Sequence, residues 1–472
     1  MPNPAKTPLL RDDPPYSRTT SRSSMSAMTP SQIIKTFVLM AICFSANHGA
    51  VTACLGLSSS RLGDLTFLDA DLGTWQSGAL YLSYTLSAVF GATLIVKRLG
   101  ARDGIFTGLV IYCVYVSCFL LASIVPDTAK WPVAITGALI GGVGGGFLWT
   151  AQGAYFGKTA EAYALAAAIP KEEATAYLGG IFAFFYLFEE VVLKALSTLI
   201  TETLGLDWLV VFITYTIISA LSAFGILFVH KFPVEVDEDD SKPLCYKVQS
   251  ATRLLSTDPK MKYMIPLNAV FGFAAAFLTA YVAGQVVSRA DLDNYIGVFT
   301  AIPAGVAAIL SLVTGRVAKY TGKGPVLIGG AVAFGCLAAM FMIYPEGDSW
   351  AFLITAFTLM GIGRSTFEGT LRATFADYFS KDLEGAFANI ILQSGLSSAT
   401  AFFLFPHFGC SKDSSSTYCV EYKDGSYHNV LVLELVVILT AVLAIFGYLR
   451  ASALDRKEKE KDRLAKEFAN PV

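Results

Sequence analysis

The sequence predicts an all-α membrane protein with twelve transmembrane helices in two pseudo-symmetric six-helix halves. Three observations carry that expectation. The 472-residue chain is 54% hydrophobic and only 15% charged, with mean hydropathy +0.55, against about 25% charge in a soluble domain. It holds twelve apolar stretches long enough to cross a hydrocarbon core of roughly 30 Å as helices, which satisfy their own backbone groups in lipid. The loops alternate in basic content: of 35 Lys and Arg, 28 fall in one alternating set, five in the other, and two, Lys194 and Arg364, inside apolar stretches. Basic loops resist translocation, so the rich set, with both termini, is expected to be cytoplasmic.

Taken in order, residues 1–32 read as a disordered cytoplasmic tail rich in Ser, Thr, Pro and Arg. The tail lacks the apolar core of a secretory signal, so the first span serves as signal anchor. Leu9–Leu10 has the form of a sorting dileucine, although no acidic residue precedes it. The N-terminal half, 33–230, holds spans near 33–56, 74–96, 104–124, 132–156, 175–200 and 208–230. A cytoplasmic linker follows at 231–262. It opens with acidic Glu235, Asp237, Glu238, Asp239 and Asp240, and continues into an amphipathic stretch, Tyr246–Leu255, expected at the membrane interface. The C-terminal half, 263–450, holds spans near 263–286, 294–314, 325–344, 350–371, 385–406 and 428–450. Residues 451–472 alternate basic and acidic side chains and read as a charged cytoplasmic tail, helical and solvated over Ala451–Ala469.

The eight cysteines divide by compartment. Cys43, Cys54, Cys113, Cys118 and Cys336 fall in apolar stretches, as small core residues would. Cys245 falls in the linker and is expected to be reduced. Cys410 and Cys419 share the last non-cytoplasmic loop and are expected to form a disulfide around Ser411–Tyr418.

The halves look related. Gly142–Val143–Gly144 precedes Phe147–Leu148–Trp149 in helix 4, and Gly361–Ile362–Gly363 precedes Phe367–Glu368 in helix 10. The loops after helices 2 and 8 also match, Lys97–Arg98–Leu99–Gly100–Ala101–Arg102 beside Gly315–Arg316–Val317–Ala318–Lys319. Parallel repeats about an axis along the membrane normal describe the major facilitator fold. These loops resemble degraded copies of that superfamily's Gly-rich loop, without its early acidic residue. Further strings sharpen the resemblance: Leu57–Ser58–Ser59, Leu72–Gly73–Thr74, Ala79–Leu80–Tyr81–Leu82–Ser83, Leu148–Trp149–Thr150–Ala151–Gln152–Gly153–Ala154–Tyr155 and Asp258–Pro259–Lys260–Met261. Together they resemble the uncoordinated-ninety-three (Unc) branch of the major facilitators, most clearly in the first half. The resemblance implies the fold, and either transport or a role as regulatory partner or trafficking chaperone of a channel or receptor. Two helices depart from the family pattern. Glu189, Glu190 and Lys194 stand where helix 5 usually carries small and amide side chains, and Arg364 stands where helix 10 usually has an acidic residue.

Charges inside membrane helices cost about 2.5–3.5 kcal/mol each on insertion scales, so each needs a partner or a cavity. Tyr186, Glu190, Lys194 and Ser197 form one stripe on helix 5, with Glu190 and Lys194 at i,i+4. Glu189 lies about 100° away around the helix. Arg364, Glu368 and Arg372 form a second stripe on helix 10, and Asn389, Gln393 and Ser397 a third on helix 11. Helix 1 adds Asn47 and His48. In major facilitators helices 1, 4, 7 and 10 line the cavity and 2, 5, 8 and 11 line the seam between halves. The resemblance therefore makes Asn47, His48, Trp149, Gln152, Glu189, Glu190, Lys194, Arg364, Glu368, Asn389 and Gln393 the candidates for binding solute or protons.

Two readings of the charges stand side by side. In one, Glu190 or Glu189 titrates, and Arg364 pairs with it across the halves or binds an anionic group of the solute. In the other, Glu190–Lys194 and Arg364–Glu368 neutralise each other along their own helices and the seam is static. His48 reads equally as a packing residue, Trp149 as an interfacial anchor, Glu434 as a structural group near the outer surface, and Gly141–Gly146 as a helix-packing surface.

The composition also excludes much. A net charge of -2 gives no field for nucleic acid. The four histidines are far apart, so no metal site and no cofactor is expected, and no serine or cysteine nucleophile motif points to an enzyme. The expected partners are the lipid bilayer and a small solute or another membrane protein, at the plasma membrane or an endolysosomal or vacuolar membrane.

Overall fold

Thr29 and Pro30 start the first membrane helix. Thr29 Oγ1 accepts from Gln32 N while Gln32 Oε1 accepts from Thr29 N, a reciprocal cap, and Pro30 occupies the first turn, where its missing N–H costs nothing. In the computed structural model, described for residues 28–62, 66–67, 70–90, 98–232, 250–379, 382–411, 414, 416–422 and 425–469, twelve such helices cross in sequence. They are α1 (Pro30–Arg61), α2 (Leu72–Phe90), α3 (Ala101–Ala122), α4 (Asp127–Ala167), α5 (Lys171–Thr198), α6 (Trp208–Gly225), α7 (Pro259–Ala276), α8 (Ile296–Thr321), α9 (Lys323–Ile343), α10 (Trp350–Ser365), α11 (Leu383–Leu404) and α12 (Leu431–Ala469). Among the described residues ten are long and apolar enough to cross a membrane. The other two are α2, rich in small polar side chains, and α10, which carries Arg364 in its apolar stretch. The N-terminal tail with Leu9–Leu10, the linker's acidic run, Cys245 and the first part of the amphipathic stretch lie outside the described residues. Its remainder forms a short helix, Ser250–Thr257, packed against α11.

The same pairings recur in each half. α1 packs on α5 and α6 as α7 packs on α11 and α12; α4 packs on α2 and α3 as α10 packs on α8 and α9. The glycine pairs sit at the centre of this equivalence. A Cβ on Gly142 would meet α2 at Ser83 and one on Gly144 would meet α3 at Ile111, while Gly361 faces α8 at Val306 and Gly363 faces α9 at Phe334. Without side chains these positions let backbones approach closely in lipid, where packing replaces the hydrophobic drive. Gly142→Ala is expected to destabilise the detergent-solubilised protein by about 2 kcal/mol, because its Cβ would lie 1.9 Å from Ser83 Oγ and 2.3 Å from Leu80 O. Gly153→Ala, with nothing within 4 Å, is expected to be neutral or slightly stabilising in the same thermal-unfolding assay.

Several elements differ from the sequence expectation. α4 continues past residue 156 to Ala167, because the alanine-rich segment after Lys158 favours helix and Pro170 sets its limit. The loop equivalence shifts. Gly100 (φ 81°, ψ 167°) starts α3 and Gly322 (φ 83°, ψ 167°) starts α9, so these two glycines correspond, while 315–319 belong to the body of α8. Both need positive φ, which glycine adopts without strain. The C-terminal charged segment is a direct continuation of α12, and it is not wholly solvated: Asp455 is buried beside Lys260 at the start of α7. Cys336 is exposed, not a core residue. Among the described residues three segments are π-helical, Leu199–Thr203 after α5, Phe277–Val286 after α7 and Thr366–Leu371 after α10.

The halves meet along α2–α11 and α5–α8, with α1 also against the Phe277–Val286 segment. On the face poor in basic residues they are tied together. Arg61 Nη2 donates to Asp293 O (3.0 Å), Thr198 Oγ1 donates to Asn294 O (3.0 Å), and Gly56 lies flat against Thr300. The same face carries a two-stranded hairpin, β1 (Cys419–Glu421) with β2 (Tyr427–Asn429), and Cys410 is bonded to Cys419 with Cα atoms 6.0 Å apart.

Candidate functional site

α5 and α10 face each other across the two halves, and there their charged stripes meet. Arg364 Nη1 and Nη2 donate to Glu190 Oε1 and Oε2, both at 2.7 Å, a bidentate pair between residues 174 apart in sequence. Lys194 Nζ donates to the same Oε1 at 2.8 Å. Glu190 is 1% exposed. One carboxylate thus serves two cations, one from its own helix and one from the opposite half. Planar guanidinium suits this role because its fork matches both carboxylate oxygens.

The cluster continues along both helices. Arg364 Nη2 also reaches Tyr186 Oη (3.4 Å), which lies 3.5 Å from His48 Nε2. Arg364 Nε faces Glu368 Oε1 at 3.7 Å, and Glu368 Oε2 pairs with Arg372 at 3.3 Å. The Arg372 guanidinium lies 5.8 Å from the Trp149 ring centroid, again across the halves. The Thr366–Leu371 π turn sits between the two arginines, as such turns often do at functional positions.

These groups border a central cavity of about 230 Å³ between the halves. Of the candidates, His48, Trp149, Glu190, Lys194, Arg364 and Glu368 line it. Trp149 is therefore no interfacial anchor: α4 runs well past it, and its ring contacts His48 and Tyr186.

The other candidates lie elsewhere. Asn47 is fully buried and donates to Leu109 O (3.4 Å) and Ser219 O (2.9 Å), tying α1 to α3 and α6. Gln393 accepts from Asn268 of α7 (2.6 Å) and donates to Asn389 (3.4 Å), which places both amides inside the C-terminal half. Gln152 is buried and outside the cavity lining. Glu189 points away from the cavity, and its Oε2 finds no hydrogen-bond partner among the described residues. Neutral amides on a helix give no sign of which neighbour they face, so their sequence positions could not separate cavity from packing. Glu434 lies in the first turn of α12, at the end of the helix next to the hairpin; it is fully buried, and neither carboxylate oxygen has a hydrogen-bond partner among the described residues.

Sequence reasoning missed the aromatic share of the lining, Tyr81, Tyr84 and Tyr112 from α2 and α3, with Phe271 and Phe367. Tyr81 and Tyr84 sit at i,i+3 in a helix of small residues, which was the available signal. Arg372 was visible as the third member of its stripe. Among the described residues no group of three or more His, Cys, Asp or Glu could hold a metal ion.

Two six-helix halves that enclose a charged cavity and meet on four seam helices define a polytopic protein of transporter architecture. Comparison with known proteins agrees: the Major Facilitator Superfamily sequence model matches residues 23–403, and the chain belongs to that superfamily. Among curated proteins it resembles UNC93-like protein 3 of Arabidopsis thaliana, 23% identical over 72% of this chain and 75% of that one. Protein unc-93 homolog A of Homo sapiens is 25% identical over 74% of this chain and 83% of its own. Among solved structures, the nucleoside transporter NupG aligns over 90% of this chain and 100% of its own, with TM-score 0.60 and 13% identity. A partially occluded inward-open form of the xylose transporter XylE from E. coli aligns over 90% of this chain and 99% of its own, also with TM-score 0.60 and 13% identity. At these identities the structures establish the shared fold.

Proposed function

We propose that this chain is a secondary transporter that moves a small anionic solute by alternating access, with the face rich in basic residues cytoplasmic. The observation that carries the reading is the Arg364–Glu190 pair, bidentate and buried, between helices of opposite halves. A purely static role needs no partner from the other half, because Lys194 already compensates Glu190 along its own helix. Placing the pair across the seam makes its strength depend on how the halves sit, and lets a solute anion compete for Arg364. A proton on Glu190 would loosen the same contact, which offers a route to proton coupling. The hydrogen bonds at Arg61 and Thr198 support a state closed on the basic-poor face.

A second reading, a transporter-shaped regulator or chaperone of a channel or receptor, rests on the unc-93 relatives. The cross-half pair favours transport.

The test is flux. Purified protein in proteoliposomes, measured by uptake and solid-supported-membrane current over a panel of organic anions, should show saturable transport that Glu190→Gln and Arg364→Ala abolish. Absence of flux and of solute binding in wild type, together with stable co-purification of a channel or receptor, would overturn it.

A further inference from the structure

The cavity has a definite charge balance and a definite wall chemistry, and together they specify a solute class. Three cationic side chains line it, Lys194, Arg364 and Arg372, against two carboxylates, Glu190 and Glu368, which leaves one positive charge in excess. The Lys194 and Arg364 side chains are only 11% exposed and that of Arg372 39%, and a monoanion in the cavity would cancel the excess. One donor is also left over. Arg372 Nε is buried without a hydrogen-bond partner among the described residues, whereas Arg364 Nε, also without a hydrogen bond, faces Glu368 Oε1 at 3.7 Å. Buried donors are ordinarily satisfied, and an anionic head would satisfy Arg372 Nε.

The walls are aromatic on both sides. From the N-terminal half, the rings of His48, Trp149 and Tyr186 contact each other, with centroids 5.3, 5.5 and 5.6 Å apart. From the C-terminal half, Phe271 and Phe367 stack at 3.9 Å. The cavity, about 230 Å³, falls below the usual range of about 300–1,000 Å³ for drug-sized ligands, so it suits one ring rather than several.

We infer that the solute is a one-ring aromatic monocarboxylate, its ring held between the two aromatic walls and its carboxylate on the Arg372 Nε donor. This rests on reading the cavity as a solute site, and it excludes cations, which the same rings would otherwise attract.

The test is binding of radiolabelled benzoate to the full-length protein in nanodiscs, with competitors that change one property each. Benzyl alcohol removes the charge, benzylamine inverts it, phthalate doubles it, and cyclohexanecarboxylate removes the aromaticity. Benzoate and phenylacetate should compete, with the other four at least about tenfold weaker, a tenfold ratio being 1.4 kcal/mol. Arg372→Gln should weaken benzoate about tenfold or more, and Arg372→Lys should recover only part of that loss, since an ammonium keeps the charge but not the Nε donor. Trp149→Leu should weaken binding about threefold to tenfold with Trp149→Phe near wild type, the range expected of one aromatic pair. The two conservative variants keep the test decisive if either disruptive one fails to fold.

Equal competition by cyclohexanecarboxylate or stronger competition by benzylamine would overturn the inference. So would transport of another solute with no benzoate binding, which leaves the transporter reading intact. Benzoate binding without flux of benzoate or any other anion of the panel would sustain the site and overturn transport.

Discussion

Glu190→Gln should be the most damaging single substitution in the membrane core, and Arg364→Gln should be milder. Removing one partner of a buried ion pair costs about 3–5 kcal/mol, because the survivor is left charged and unpaired. Glu190 is shared: Arg364 holds both its oxygens at 2.7 Å and Lys194 holds one at 2.8 Å. Neutralising it strands two cations, so the upper end, about 5 kcal/mol, is expected. Neutralising Arg364 leaves Glu190 with Lys194, so about 3 kcal/mol is expected. In detergent these correspond to falls in Tm on the order of 10–20 °C and 6–12 °C, at about 2–4 °C per kcal/mol for units of this size. The double substitution should cost less than the sum, with a coupling of about 1–3 kcal/mol in the cycle. A pair compensated only along its own helix behaves differently: helical i,i+4 pairs contribute about 0.3–0.5 kcal/mol. A loss of less than about 1 kcal/mol on Arg364→Gln, with no coupling to Glu190, would show that the cross-half contact carries no weight.

A covalent bond at the basic-poor end of the interface should stop transport outright. A Cβ placed on Gly56 lies 3.5 Å from Cβ of Thr300, on α1 and α8 of opposite halves. Disulfides want Cβ atoms about 3.5–4.5 Å apart, so Gly56→Cys with Thr300→Cys is placed to close on oxidation. Alternating access requires this contact to part, so flux should drop to background on oxidation and return on reduction. Each single cysteine variant and the wild type should be insensitive to the same treatment, which separates the new bond from the Cys410–Cys419 bridge. Undiminished flux through fully cross-linked protein would mean that the halves do not separate there.

The span count and the repeat were legible because they rest on properties that topology cannot rearrange. Basic residues cannot easily cross, so their alternation counted the helices. Glycine pairs such as Gly142–Gly144 and Gly361–Gly363 marked equivalent packing points, because only bare backbone allows that approach. Lys194 and Arg364 were legible as outliers for the same reason: lipid does not tolerate unpaired charge. What they pair with was only half legible. Each had a local partner one turn away, and nothing local distinguishes a helix face that meets its own neighbour from one that meets the other half. The structure keeps the local pairs and adds the long-range one. Asn47, Asn389 and Gln393 show the converse. Polar side chains in membrane helices bind helices together as readily as they bind solute; Asn47 and Gln393 do the former, and Asn389 supports Gln393 from one turn away. The π-helical segments were invisible, since they follow from packing and not from periodicity. The Thr366–Leu371 turn is the case that bears on the site, because it shares its helix with both arginines.

The central claim is that the Arg364–Glu190 contact joins two bodies that move. Pulsed electron-spin distance measurement addresses it directly. Spin labels at exposed Glu161 of α4 and exposed Tyr320 of α8, in a background without other accessible cysteines, report the separation of the halves on the basic face. In nanodiscs, wild type should show one dominant distance with a minor second one. Glu190→Gln should shift weight toward the second by loosening the pair. A single narrow distance that neither Glu190→Gln nor saturating solute changes would contradict the account.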